Sequence, residues 1–376
     1  GPDKGQTWAW DRIKGGDATC KANQALHGKA QDLQQAIRDN SHYDKTAYID
    51  SIDPVTFVHK IKVPTFLACQ WQDEQTGGHC INLVRQFTGT KKKWFTFTNG
   101  VHVDSLDPAT YTRWYDFLQL YVAKIAPGQL AAPSLAAAPV IYNQAMGISN
   151  SAVVLPPDPI WAQPTYDGAL AAFEALPQVR VLFDNGAGKG PAMAGQPGDP
   201  YASYEASFAT FPVPGTTARS WFFGPGGTMT DGATKGAEVD TYSANPRALP
   251  LADFTGGTGG GGLWGNASNW SWNWKPNPDG TAVSYVSAPL AKDTTVVGAG
   301  AVTVWARSAA PDADFLATIS EVDASGHETF VQNGYMRGSE RKLATTSKTI
   351  LGHPSTQLEP VPSFTSRDAQ PMPQTT

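Results

Sequence analysis

Val63-Pro-Thr-Phe-Leu-Ala-Cys69 and Lys93-Trp-Phe-Thr-Phe-Thr98 are the two short runs that decide the fold of this chain. The first is almost continuous in apolar side chains, as a strand must be when both faces of a parallel sheet are covered. The second follows a segment, Ile81 to Phe87, whose pattern predicts a helix. Strand, helix and strand in that order make a βαβ unit with a right-handed crossover. Asp107-Pro108 then predicts a helix start, the proline being pre-set for a first turn. Tyr111, Trp114, Leu118, Tyr121 and Val122 give that helix an apolar stripe.

Working outward, residues 1–50 read as helical. Ala22, Leu26, Ala30, Leu33 and Ile37 line one face of a helix from Cys20 to Asp39, with Asp17 and Thr19 as candidate N-caps. The rest of that stretch is polar, so the helix is expected to cover another element. On the other side, 126–218 is a Pro/Gly/Ala-rich connection with one helical segment (Asp167 to Leu176) and one strand (Gln178 to Phe183). Its Gly186-Ala-Gly-Lys-Gly190 lacks the first glycine and the final Ser or Thr of a phosphate loop, and reads as a glycine turn. After Arg219 the hydrophobic period becomes two. Ser220–Gly224, Ala282–Ser287, Ala301–Ala306, Phe315–Val322 and Thr329–Gln332 read as strands with no helix between them, which predicts a β-sandwich or jelly roll. The fold class is therefore α/β followed by β.

Composition narrows the function. Of 376 residues, 41% are hydrophobic and only 16% charged, which excludes a charged, aromatic-poor disordered chain. The net charge is -5 and the one dense basic run is Lys91-Lys92-Lys93, so nucleic acid is not an expected partner. No run of eighteen apolar residues predicts a membrane span, and Gly1-Pro-Asp-Lys-Gly5 does not read as a signal peptide. Few charges and many Trp, Asn, Thr and Gly suit an exported, secreted or cell-envelope protein. Cys20, Cys69 and Cys80 make no disulfide framework. One bridge is compatible with them, between the flanking loop or helix cysteines Cys20 and Cys80. No metal cluster or nucleotide motif implies a cofactor; Asp312 and Asp314 are too isolated to argue for calcium.

Sites in doubly wound sheets form beyond the C-terminal ends of the strands. Asp73 follows the first run and His102 the second. An acid and a histidine after consecutive strands are the last two members of a Ser…Asp…His triad. The histidine would shuttle the proton while the carboxylate fixes its tautomer. Glu74 and Asp104 compete for the acid and His79 for the base, and a lone strand-end His or Asp also serves as a capping or turn residue. No Gly-x-Ser-x-Gly elbow occurs in the chain. Cys20, opening a helix, and Cys69, within an apolar strand, are poor substitutes for a nucleophile.

Taken together, Ser51-Ile-Asp-Pro-Val-Thr-Phe-Val, Ile61-Lys-Val-Pro-Thr-Phe-Leu, Trp71-Gln-Asp-Glu-Gln-Thr-Gly77 and Asn99-Gly-Val-His102 resemble α/β-hydrolases of the CocE/NonD group, the cocaine-esterase and X-Pro dipeptidyl-peptidase type. Ser220-Trp-Phe-Phe-Gly-Pro-Gly-Gly227 and the strands after it resemble that family's C-terminal jelly roll. The resemblance implies a serine esterase, amidase or peptidase, with a helical cap and a jelly roll across the active-site mouth. It makes 1–50 a cap remnant, 51–125 the C-terminal half of the hydrolase domain and 219–376 an incomplete jelly roll, with Asp73 as triad acid and His102 as general base. The nucleophile segment and the last strands of the family are missing. The expectation is thus an internal piece of a longer hydrolase, partnered by complementary segments carrying the serine and the final strands. Its substrate would be a small acyl ester, amide or peptide, and a homo-oligomer is compatible. A different class of reading makes Trp264, Trp270, Trp272 and Trp274 a platform for carbohydrate in a non-catalytic binding module. The preferred reading instead packs these tryptophans between the jelly roll and its neighbour domain, or along the mouth of the pocket, since exposed aromatic clusters of this size are uncommon.

Overall fold

The computed structural model describes residues 7–30, 35, 38–39, 42, 51, 53–73, 77–100, 104–105, 107–130, 132–133, 136–138, 140, 155–183, 202–235, 238–245, 252–253, 273–274, 277–347, 349 and 351–374. Its centre is a four-stranded sheet of β1 (Thr65–Gln70), β2 (Lys93–Thr98), β3 (Val179–Phe183) and β4 (Tyr204–Phe208), in that order. The first three strands are parallel, with Gln70 opposite Thr98 and Phe95 opposite Val179. β4 runs antiparallel to β3.

Side-chain alternation along the strands feeds two cores. Cys69, Phe95, Phe97, Val179, Val181 and Phe183 pack on one face with Val58, Val84, Phe87 and Phe211. On the other face Trp94 joins Leu120, Ile160, Ala169 and Phe173. The predicted strands β1, β2 and β3 are therefore present. Between β1 and β2, where the sequence predicts a helix over Ile81 to Phe87, Gly78–Gln86 forms a 3₁₀ helix and not an α-helix. Gly78 lies so close to Trp71 that a Cβ there would stand 2.6 Å from its carbonyl oxygen, which ties the turn to the strand end.

Among the described residues the bounded α-helices are α1 (Thr7–Lys14), α2 (Ala18–Ala30), α3 (Pro108–Leu118) and α4 (Tyr166–Glu174). The Asp17 carboxylate accepts from the Cys20 amide at 2.8 Å, as a cap should. Leu26, on the stripe predicted for that helix, is 64% exposed. The α3 stripe also differs from expectation. Trp114 and Val122 are exposed, and the buried face carries Thr112, Tyr115 and Asp116, followed by Leu120 in the π-helical turn Gln119–Ala123. Polar residues occupy this face because each finds a partner. Thr112 Oγ1 donates to the Pro108 and Pro156 carbonyls, and Asp116 Oδ1 accepts from Trp161 Nε1 at 2.6 Å.

The segment read as a connection supplies α4 and β3 as expected and a further strand, β4. Downstream lie β5 (Phe222–Gly224), β6 (Thr228–Thr230), β7 (Ala252–Asp253), β8 (Asn273–Trp274), β9 (Val286–Ser287), β10 (Asp314–Val322) and β11 (Glu328–Arg337). They form a three-stranded sheet β5-β6-β9 and the pairs β7-β8 and β10-β11. Among the described residues these small sheets do not join into a jelly roll. Among the described residues, 301–306, read as a strand, have no ladder partner and are largely exposed. Alternation there reports extended backbone, but a ladder also needs a neighbour.

Candidate active site

The C-terminal rim of the parallel sheet is built from the segments that follow β1 and β2. Pairing continues past the strand ends: the Trp71 amide donates to the Thr98 carbonyl at 2.9 Å and the Gln72 amide to the Gly100 carbonyl at 3.0 Å. Trp71 stacks on Phe97, with ring centroids 5.6 Å apart and planes within 9°. Asp73 follows directly and is half-buried. Its amide lies 3.4 Å from the Gln70 carbonyl, and its own carbonyl accepts from the Gly77 amide at 2.9 Å. The turn closes on Gly77, whose φ of 70° favours glycine.

A disulfide joins Cys69, in β1, to Cys80, in the 3₁₀ segment. This corrects the expected pairing. Cys69 faces the side of the sheet that this segment covers, whereas Cys20 is free, its Sγ 3.7 Å from the Ala9 carbonyl oxygen. The bridge spans 11 positions and encloses Asp73. Sequence reasoning missed it by treating the strand cysteine as inert.

The remaining candidates divide. His102 and Glu74 lie outside the described residues, as do Gly186–Gly190 and Trp264, Trp270 and Trp272; of Trp274 only the backbone is described. Asp104 is buried, with its carboxylate against Gly100. His79 is exposed at the start of the 3₁₀ segment. The rim itself is polar. Gln70 and Thr98 are buried, and among the described residues the Gln70 amide nitrogen and the Thr98 hydroxyl have no hydrogen-bond partner.

Next along the chain, Asp107 caps α3, accepting from the Thr110 amide at 2.8 Å and its hydroxyl at 2.6 Å. Burial pushes the Asp107 carboxyl up to about 6, although these bonds and Arg180 oppose the rise. A polar roof crosses the rim. The Val331 carbonyl of β11 accepts from Gln72 Nε2 at 2.5 Å and from Asn99 Nδ2 at 3.3 Å, while Gln332 Nε2 donates to the Trp71 carbonyl at 2.6 Å. Gln72 and Asn99 went unnoticed in the sequence, because nothing local reveals a partner more than 230 residues away.

Residues 171–365, just over half of the chain, match the family model described as the X-Pro dipeptidyl-peptidase C-terminal non-catalytic domain. The chain belongs to this family. The resemblance drawn from the sequence is borne out at that level, and the match begins within α4 and takes in β3 and β4. Two curated relatives, "Putative serine esterase Mb1866c" of Mycobacterium bovis and "Putative serine esterase MT1883" of Mycobacterium tuberculosis, are each 26% identical over 167 residues. The alignments cover 43% of this chain and 24% of each relative, so the chain spans about a quarter of the length of the curated relatives it matches. Two crystal structures of a CocE/NonD family hydrolase from Staphylococcus aureus align over 92% of this chain and 46% of theirs, at 13% identity and TM-scores of 0.46 and 0.44. No helix among the described residues is long and apolar enough to cross a membrane.

Proposed function

We propose that this chain supplies the acid–base half and the C-terminal domain of a serine hydrolase that cleaves acyl esters, amides or X-Pro peptides. Asp73 is the acid and His102 the general base; the serine comes from a segment outside this sequence, contributed by complementary parts of the same hydrolase. The observation that carries the reading is the position of Asp73, on a stapled loop beyond β1 at the C-terminal rim of a parallel sheet. Membership, over residues 171–365, of the family described as the X-Pro dipeptidyl-peptidase C-terminal non-catalytic domain supports the C-terminal-domain part of the reading.

The chemistry assigned to these residues is proton management. His102 takes the proton of the attacking hydroxyl and returns it to the leaving group. Asp73 holds the imidazole in one tautomer and stabilises the imidazolium that forms. The β10–β11 hairpin is fastened to the rim through Gln72, Asn99 and Gln332. An intrachain disulfide suits an exported protein, secreted or in the cell envelope.

The complete hydrolase, treated with a fluorophosphonate probe and a chromogenic acyl ester, tests this reading. Labelling is expected outside the present sequence. His102→Ala and Asp73→Asn are each expected to lower turnover by more than about a hundredfold. Turnover unchanged in His102→Ala would remove the mechanism.

A further inference from the structure

We infer that the Cys69–Cys80 disulfide is the positioning element of the acid loop, so that opening it weakens catalysis without dismantling the sheet. The inference rests on the reading of Asp73 as the triad acid. It comes from an asymmetry in how the two limbs of the loop are held. The outgoing limb, Trp71 to Asp73, continues the pairing of β1 with β2 through two amides, stacks on Phe97 and is gripped by Gln332. Among the described residues the returning limb, Gly77 to Cys80, has no such ladder. It meets the outgoing limb where Gly78 abuts the Trp71 backbone and where the Gly77 amide reaches the Asp73 carbonyl, before the bridge returns it to β1 with Cα atoms 6.2 Å apart.

Beyond the bridge, Ile81, Leu83 and Val84 pack into the core under the sheet. The segment therefore keeps its anchor when the bridge is cut, and the freedom gained falls on the returning limb and reaches Asp73 through its carbonyl, which accepts from the Gly77 amide. A displacement of about 1 Å in a positioning group costs up to roughly a hundredfold in rate, so slack on this scale suffices. A dithiol opens the bridge by thiolate attack on one sulfur. A mixed disulfide forms, the second thiol of the reagent displaces it, and two cysteine thiols and the oxidised reagent are released.

The experiment uses the complete hydrolase before and after dithiol treatment, with thiols counted to verify opening, beside a Cys69→Ala/Cys80→Ala variant. The expected result is a fall in kcat of roughly ten- to a hundredfold with KM changed less than about twofold. The pH profile should also move. A base that has lost its carboxylate partner titrates lower, so the acidic limb of kcat/KM shifts downward. An unchanged kcat and an unchanged limb after opening overturn the inference, provided Asp73→Asn abolishes turnover in the bridged protein. If Asp73→Asn leaves turnover intact, the functional reading itself fails. Should the double variant not fold, amide exchange of the wild-type chain decides. Faster exchange in 71–80 with β2 and β3 unchanged is expected on reduction, and equal protection in 71–80 contradicts the inference.

Discussion

β3 and β10 are strands of one chain built on different terms. Every residue of β3 is buried, and its apolar side chains enter a core of aromatic and aliphatic groups. No residue of β10 is fully buried, and Leu316, Ile319 and Val322 are exposed along it. The region around β10 is held largely by polar stitching. Arg341 donates to the Gly338 and Gln370 carbonyls at 2.7 Å each, Lys342 reaches Asp368 at 2.7 Å, and Asp312 accepts from Ser339 at 2.7 and 2.9 Å. One region is secured by removing surface from water, the other by closing hydrogen bonds at its edge. The site lies where they meet, so its two walls should respond differently to the same perturbation.

The largest contrast should come from truncating aromatics. Phe97→Ala empties a fully buried position and should cost about 3–5 kcal/mol in denaturant unfolding. Trp305→Ala, at a residue 97% exposed, should stay within about 0.5 kcal/mol. Comparable losses at the two positions would break the comparison.

Proton linkage separates the regions next. Burial first, and then the charge of Asp158, push the Asp116 carboxyl up to about 8, against the opposing effects of Trp161 and Arg113. The folded state therefore holds a proton that the unfolded chain releases near pH 4, so stability falls as pH rises from about 4 to 8. Asp116→Asn should flatten that slope, which is expected to exceed about 1.4 kcal/mol across the window. Opposite behaviour is expected beyond β10. The hydrogen bond from Arg367, followed by those from Lys342 and Ser363, holds Asp368 below the usual carboxylate range. Its contribution is present above pH 4 and is lost as pH falls below about 4. Unfolding monitored separately in the two regions from pH 3 to 8 should show slopes of opposite sign.

Smaller effects belong to the seam. Gln332→Ala should loosen the hairpin from the rim by about 1 kcal/mol, seen as faster amide exchange in β11 with β3 unchanged. Weakest of all should be the Arg85–Glu359 ion pair at 2.8 Å, where a double-mutant cycle is expected to give about 0.2–1 kcal/mol.

The sequence revealed the α/β region far better than the rest, for a physical reason. β2 and β3 are almost wholly buried and β1 is half-buried to buried, so the apolar residues of these parallel strands announce them. β4 carried the period-two pattern Tyr204, Ala206, Phe208, yet it stands inside a Pro/Gly-rich stretch that reads as a connection. The stripe on α3 was misread because the faces compete. Thr112 and Asp116 turn inward once Pro156 and Trp161 offer partners that no local pattern contains. Residues 301–306 show the converse error, an alternating pattern with no ladder among the described residues. At the site, Asp73 was legible as a strand-end acid. The bridge around it and the grip of Gln72, Asn99 and Gln332 depend on contacts between distant segments.

The proposed pairing of Asp73 with His102 is most directly tested by proton NMR of the imidazole. A buried, carboxylate-bound Nδ1–H gives a strongly downfield resonance. The account predicts such a signal, lost in both His102→Ala and Asp73→Asn while the fold persists. A downfield signal that survives Asp73→Asn would assign the carboxylate partner elsewhere and contradict the site.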